Sequence, residues 1–181
     1  MIKHIGNCSH IIDWDQVILD LQSQSPAYRG PSHQEGDLIP GLESVTDVWN
    51  KANFKSVKDG GTVEWDMFLA GVNFDISVVE KFIRFVGIEN YNSCWISRIN
   101  VGRFSPWHWD VHDNESQLSQ RTDIKRFHCH IGKPTHGHVL IIEDKCFYNQ
   151  PQGEVYQWPS RTSWHAGMNC GLTPKYLFNI W

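Results

Sequence analysis

A chain of 181 residues, 40% hydrophobic and 20% charged, is long enough for one domain with a real core, and none of its apolar runs approaches the length of a membrane span. The formal net charge is −4 and the Lys and Arg residues are scattered rather than striped, which argues against a nucleic-acid partner. Five cysteines (Cys8, Cys94, Cys129, Cys146 and Cys170) form no CxxC pair; their odd number, with no visible secretory leader, predicts reduced thiols in a cytoplasmic protein that is not attached to a membrane.

The first predicted elements are helical. Ile11, Trp14, Ile18 and Leu21 recur at helical spacing, with Ser9 or Asp13 as the cap. From Ser23 to Pro40 the chain is rich in Ser, Pro, Gly and Gln and has no period, which predicts a long loop carrying an exposed His33. Leu42, Val45, Val48 and Trp49 predict a second helix ending before Lys58-Asp-Gly-Gly61, and a short strand follows from Thr62 to Trp65. Asp75 is placed to cap a third helix over Ile76 to Val86, with Gly87 just beyond its end.

After Tyr91 short β-type runs alternate with turns. Strands are predicted over Cys94–Val101, Trp107–Val111, Arg126–Ile131, His138–Ile142, Lys145–Tyr148, Glu154–Trp158, Ser163–Met168 and Tyr176–Trp181. Eight such strands fit a jelly roll, so the expected fold is mainly β with flanking helices. Residues 1–181 then form a single domain, with 1–90 as helix-rich support and 91–181 as the β core. Nine Trp residues suit the rigid walls of a β-rich barrel, or plain core filling. The polar segment Asn114 to Asp123 is expected to be a loop over the barrel mouth.

His108 and Asp110 stand two apart just after a strand-like run, so in an extended segment an imidazole and a carboxylate share one face and can grip one ion. The best candidate for a second histidine is His165. Two His and one carboxylate leave the opposite coordination positions open, the arrangement of non-haem Fe(II) oxygenases. Taken alone, His108 reads better as a surface residue beside Trp107 and Trp109. On the strand after Lys125, Arg126, His128 and His130 share one face, and Phe127, Cys129 and Ile131 share the other. Arg98 and Asn100 also share a face and are expected to point into the pocket or to satisfy a neighbour. A rival metal cluster of His128, His130, His136 and His138 has no carboxylate partner, and His136-Gly-His138 lies in a Gly-rich turn.

Several pieces occur in a family-like order: His108-Trp-Asp110, Arg126-Phe-His128, Gly153-Glu-Val-Tyr156, Trp164-His-Ala-Gly-Met-Asn169, and Lys175 ahead of the last strand. Over roughly residues 94 to 181 the chain thereby resembles the double-stranded β-helix core of Fe(II)/2-oxoglutarate-dependent dioxygenases. Within that superfamily it is most similar to the aspartyl/asparaginyl β-hydroxylase and free-proline hydroxylase group. The resemblance implies Fe(II) held by His108, Asp110 and His165, with 2-oxoglutarate and O2 as cosubstrates. It implies Lys175 as the cation for the distal carboxylate of 2-oxoglutarate, where the nearer group has Arg, with Arg161 or Arg126 as the next candidates. It also implies that Arg126 and His128 contact the cosubstrate or a substrate carboxylate. Trp107, Trp109 and Trp164 flank the ligands and would exclude water or simply pack the core, and the role of Asn169 stays open between a loop tie and a ligand contact. The implied reaction is oxidative decarboxylation of 2-oxoglutarate to succinate and carbon dioxide, coupled to hydroxylation of an amino-acid-like small molecule, a peptide or a protein side chain. The alternative is a cupin-like module that binds a metal or small ligand without turnover.

Overall fold

The computed structural model describes residues 1–30, 45–109, 125–158 and 163–181. Asp110, His33, Arg161, the 31–40 part of the expected long loop and the expected mouth loop lie outside the described residues. Within them the chain builds β1 (Lys3–Asn7), α1 (Trp14–Gln22), β2 (Tyr28–Gly30), α2 (Val45–Lys51), a 3-10 turn (Val57–Asp59), β3 (Trp65–Leu69) and α3 (Ile76–Val86). Eight further strands follow: β4 (Cys94–Ile99), β5 (Phe104–His108), β6 (Arg126–His130), β7 (His138–Ile142), β8 (Lys145–Tyr148), β9 (Glu154–Trp158), β10 (His165–Asn169) and β11 (Lys175–Ile180).

The strands form two antiparallel sheets. A seven-stranded sheet runs β1-β9-β6-β11-β4-β3-β2, and a four-stranded sheet runs β5-β10-β7-β8. The first half is therefore less purely helical than its sequence suggests, because β1, β2 and β3 extend the larger sheet on its two sides. The fold is mainly β with few helices.

Helix ends are set by side chains. The Asp13 carboxylate accepts the Gln16 N–H at 3.0 Å, so of the two candidate caps for α1 it is Asp13 that serves. Asp75 accepts the Ser77 N–H at 2.7 Å to start α3. Gly87, at φ 69°, ends that helix with its N–H on the Ile83 carbonyl, a left-handed position where a side chain would be strained.

Period-two alternation then sorts the larger sheet into two faces. Phe127 and Cys129 of β6 and Tyr176, Phe178 and Ile180 of β11 pack in the core with Trp14, Val17 and Leu21 of α1 and Val78, Val79 and Phe82 of α3. Phe178 is fully buried there, with its ring 4.6 Å from Phe82 and 5.5 Å from Trp14. The opposite face meets the smaller sheet, where Trp158 and Leu177 pack against Leu140 and Ile142 of β7. All five cysteines are free thiols, and the buried Sγ atoms of Cys8 and Cys129 lie 3.7 Å apart. No helix among the described residues is long and apolar enough to cross a membrane.

Candidate functional site

His108 ends β5 and His165 begins β10, and the two residues stand directly opposite each other in the antiparallel ladder. Register slips beside them: between His165 and Gly167 the partner on β5 changes from His108 to Ser105, so β5 holds one extra residue. Pro106 sits in that bulge, where the missing N–H costs no ladder bond. Across the pair the ring centroids are 4.1 Å apart and tilted by 49°.

Both imidazoles are oriented by backbone. His108 Nδ1 lies 2.6 Å from the Pro106 carbonyl and His165 Nδ1 lies 3.0 Å from the Ser163 carbonyl. A carbonyl only accepts, so each Nδ1 carries the proton and each Nε2 carries the lone pair, the tautomer that a metal ligand needs. Trp65 stacks on His108 at 6.0 Å and 15°, and Trp158 presents its ring to His165 at 4.6 Å and 71°. These aromatic walls limit water around the pair.

Lys175 points into the same interior. It is 1% exposed, and its ammonium donates to the Val139 carbonyl. A Cβ built on Gly167, two residues along β10 from His165, would lie 3.5 Å from Lys175 Nζ and 2.8 Å from Ile99 Cδ1. Burial lowers the Lys175 ammonium to about 7. Among the described residues no carboxylate is paired with it. An ammonium so enclosed is costly unless an anion joins it, which is the fit expected of a dicarboxylate ligand.

Arg126 is also 1% exposed, with its guanidinium carbon 4.3 Å from the Trp158 ring centroid and 5.5 Å from that of Trp95. His128 is fully buried beside it. The Trp158 indole N–H donates to His128 Nδ1, which leaves the His128 proton on Nε2, a buried atom without a hydrogen-bond partner among the described residues. Burial, then the charges of Lys175 and Arg126, hold His128 well below the usual imidazole range, so it acts as a neutral donor. The predicted face of Arg126, His128 and His130 is thus the one that looks between the sheets.

At other positions the structure selects among the alternatives. Arg98 belongs to the helix-side face of β4, with Cys94 and Ile96, while Trp95, Ser97 and Ile99 take the inner face. Its guanidinium lies 5.0 Å from the Phe68 ring and bonds the buried Asp66 carboxylate at 2.6 and 2.9 Å. Arg29 bonds the other oxygen of Asp66 at 2.6 Å, and Asn100 reaches Asp66 at 3.5 Å, so Arg98 and Asn100 satisfy a neighbour instead of lining the pocket. Asn169 ties loops: its amide donates to the Ile99 and Thr173 carbonyls, each at 2.8 Å, and its oxygen accepts the Gly171 N–H at 2.9 Å. The rival histidine cluster does not assemble, because His136 pairs with Tyr148 at an exposed position. No group of three or more metal-ligating side chains occurs among the described residues.

Trp65, Trp95 and Trp158 are the site residues that sequence reasoning passed over. Trp158 alone had a signal, since it lies two residues after Tyr156 and must share its face.

No family model and no curated protein sequence matches the chain. Among solved structures it is similar to a 2OG-Fe(II) oxygenase family oxidoreductase from Burkholderia pseudomallei, with TM-score 0.43 and 13% identity over 65% of this chain and 66% of that one. It is also similar to the viral collagen prolyl hydroxylase of Paramecium bursaria Chlorella virus-1, with TM-score 0.46 and 19% identity over 75% and 86% of the two chains. A prolyl-4-hydroxylase from Pseudomonas putida gives TM-score 0.42 and 12% identity over 65% and 67%. These overlaps are partial, and the functional reading is carried by the residues themselves.

Proposed function

We propose that the chain is a single catalytic domain, an Fe(II)- and 2-oxoglutarate-dependent oxygenase, with β4 to β11 forming a double-stranded β-helix. The observation that carries this reading is the buried Lys175 ammonium, which has no carboxylate partner among the described residues and faces the same interior as the two oriented imidazoles. Metal-binding and dicarboxylate-binding features on one interior face have a joint use in a cosubstrate that chelates through one end and is held at the other.

In this reading His108 and His165 hold Fe(II) through Nε2, with Asp110 as the third ligand. Bound Fe(II) and O2 supply the oxidative decarboxylation of 2-oxoglutarate and the hydroxylation of the substrate. Lys175 fixes the distal carboxylate, and an ammonium serves as a point charge where Arg would give a fork. Trp65 and Trp158 pack beside the ligands and keep bulk water away. Arg126 and His128 offer a charged and a neutral donor for a carboxylate, either that of the cosubstrate or that of an amino-acid-like substrate, a peptide or a protein side chain.

The test is succinate formation by protein loaded anaerobically with Fe(II), then given 2-oxoglutarate, O2 and a panel of free amino acids and short peptides. Turnover that one panel member stimulates is the expected result. In Arg126→Gln protein that stimulation should fall more than basal decarboxylation does. Stoichiometric Fe(II) binding without succinate under any condition would instead identify a cupin-like binding module.

A further inference from the structure

Two buried histidines at the far end of the interior have no part in the reading above. His130 of β6 is 2% exposed, and among the described residues neither ring nitrogen has a partner in hydrogen-bond geometry, the nearby Gly132 backbone exerting the smallest influence on the ring. His138 of β7 is 3% exposed; its Nε2 bonds the Thr173 carbonyl at 2.9 Å, which leaves the lone pair on Nδ1, and Nδ1 has no partner among the described residues. The two rings are 5.9 Å apart. Buried polar atoms are nearly always satisfied in folded proteins, so three such nitrogens in one place call for a ligand.

The ladder of β10 gives the depth of each group. His165, Gly167 and Asn169 share the inner face, and each step of two residues spans about 6.6 Å. The imidazole pair lies at the level of His165, Lys175 Nζ reaches the level of Gly167, and His138 pairs with Asn169 one step deeper. A five-carbon 2-oxo diacid chelated at the first level brings its distal carboxylate to the second. The third level is the His130 and His138 floor.

We infer that His130 and His138 form the closed end of the cosubstrate site and gauge the length of the diacid, with His130 donating an N–H to the distal carboxylate beside Lys175. This rests on the oxygenase reading and assigns to the site two residues outside it. The donor count fits. After the Val139 carbonyl, Lys175 retains two N–H groups and neutral His130 supplies one more, while His138 Nδ1 is an acceptor that a Lys175 N–H can meet. Burial and the Lys175 charge push His130 down to about 3, so it donates without placing a second positive charge beside the first. One cation then faces one carboxylate. A diacid with one more methylene meets the two rings, and one with one fewer falls short of Lys175.

The experiment is anaerobic calorimetry of Fe(II)-loaded protein with oxaloacetate, 2-oxoglutarate and 2-oxoadipate, which reads binding and not turnover. Wild-type protein is expected to prefer 2-oxoglutarate by about tenfold over either neighbour. His130→Ala should weaken 2-oxoglutarate by about tenfold and bring 2-oxoadipate within about threefold of it, while His130→Gln, which keeps an N–H donor, should restore most of the affinity. Unchanged affinity and preference in His130→Ala would overturn the inference. So would an equal loss for all three acids in both variants, which would make His130 a packing residue only. Wild-type protein that binds none of the three acids defeats the oxygenase reading itself, a result distinct from either of these.

Discussion

In the proposed oxygenase most of the cosubstrate chemistry turns on the ammonium of Lys175. A charge-assisted contact in such a place is worth about 1.5–3 kcal/mol, so Lys175→Ala should weaken 2-oxoglutarate at least about tenfold in a direct titration. Oxalate, which needs only the metal, should bind almost as before. Equal 2-oxoglutarate affinity in the two proteins would move the cation elsewhere. The same residue sets a pH dependence. Its folded-state pKa, about 7, lies below the ordinary lysine value of 10.5, so between those limits the unfolded chain binds more protons than the folded one. Stability of the ligand-free protein should therefore rise with pH across that window, and Lys175→Met should flatten the rise in chemical denaturation. Affinity for the dicarboxylate should run the other way, falling as pH climbs past about 7, because the ammonium must be charged to receive it.

At the scale of single elements, β10 and β11 make the tightest demands. A Cβ on Gly167 would lie 2.8 Å from Ile99 Cδ1, so that side-chain tip would have to shift, and Lys175 Nζ lies just beyond at 3.5 Å. Gly167→Val should displace the ammonium and lower 2-oxoglutarate affinity without changing Fe(II) stoichiometry, which separates the two halves of the site by titration. On the other face of β11, Phe178 fills the junction of α1, α3 and the sheet. Phe178→Ala should cost about 3–5 kcal/mol in denaturant unfolding. A loss under about 1 kcal/mol would mean that the core closes over the gap.

Elements differ in how well the sequence announces them. The third helix is legible to the residue, because Asp75 and Gly87 are chemical signals and not just pattern. The strands β1 and β2 are not, since an edge strand such as Lys3–Asn7, with Gly6 inside it, has little apolar alternation to detect. The strand predicted over Thr62–Trp65 forms instead at Trp65–Leu69, and the one predicted from Trp107 begins at Phe104 and runs through Pro106.

For the whole molecule, the spacing of chemistry-bearing residues tells more than composition does. His108 and His165 are 57 positions apart in the chain and face each other across one ladder. The sequence leaves the face of Arg98 open because both faces of the larger sheet are buried, one by helices and one by the second sheet. Alternation then separates the faces without saying which looks inward. Trp158 meets Arg126, its ladder partner, and His128 on β6, and reaches His165 across the two sheets, and no local pattern reports that. The account as a whole stands on one property, an iron site built by this pair, and equilibrium dialysis of Fe(II) under argon in the presence of 2-oxoglutarate measures it directly. Wild-type protein should hold about one iron per chain, and His108→Ala and His165→Ala should each hold almost none while keeping wild-type unfolding curves. Full occupancy in folded His165→Ala protein would contradict the account.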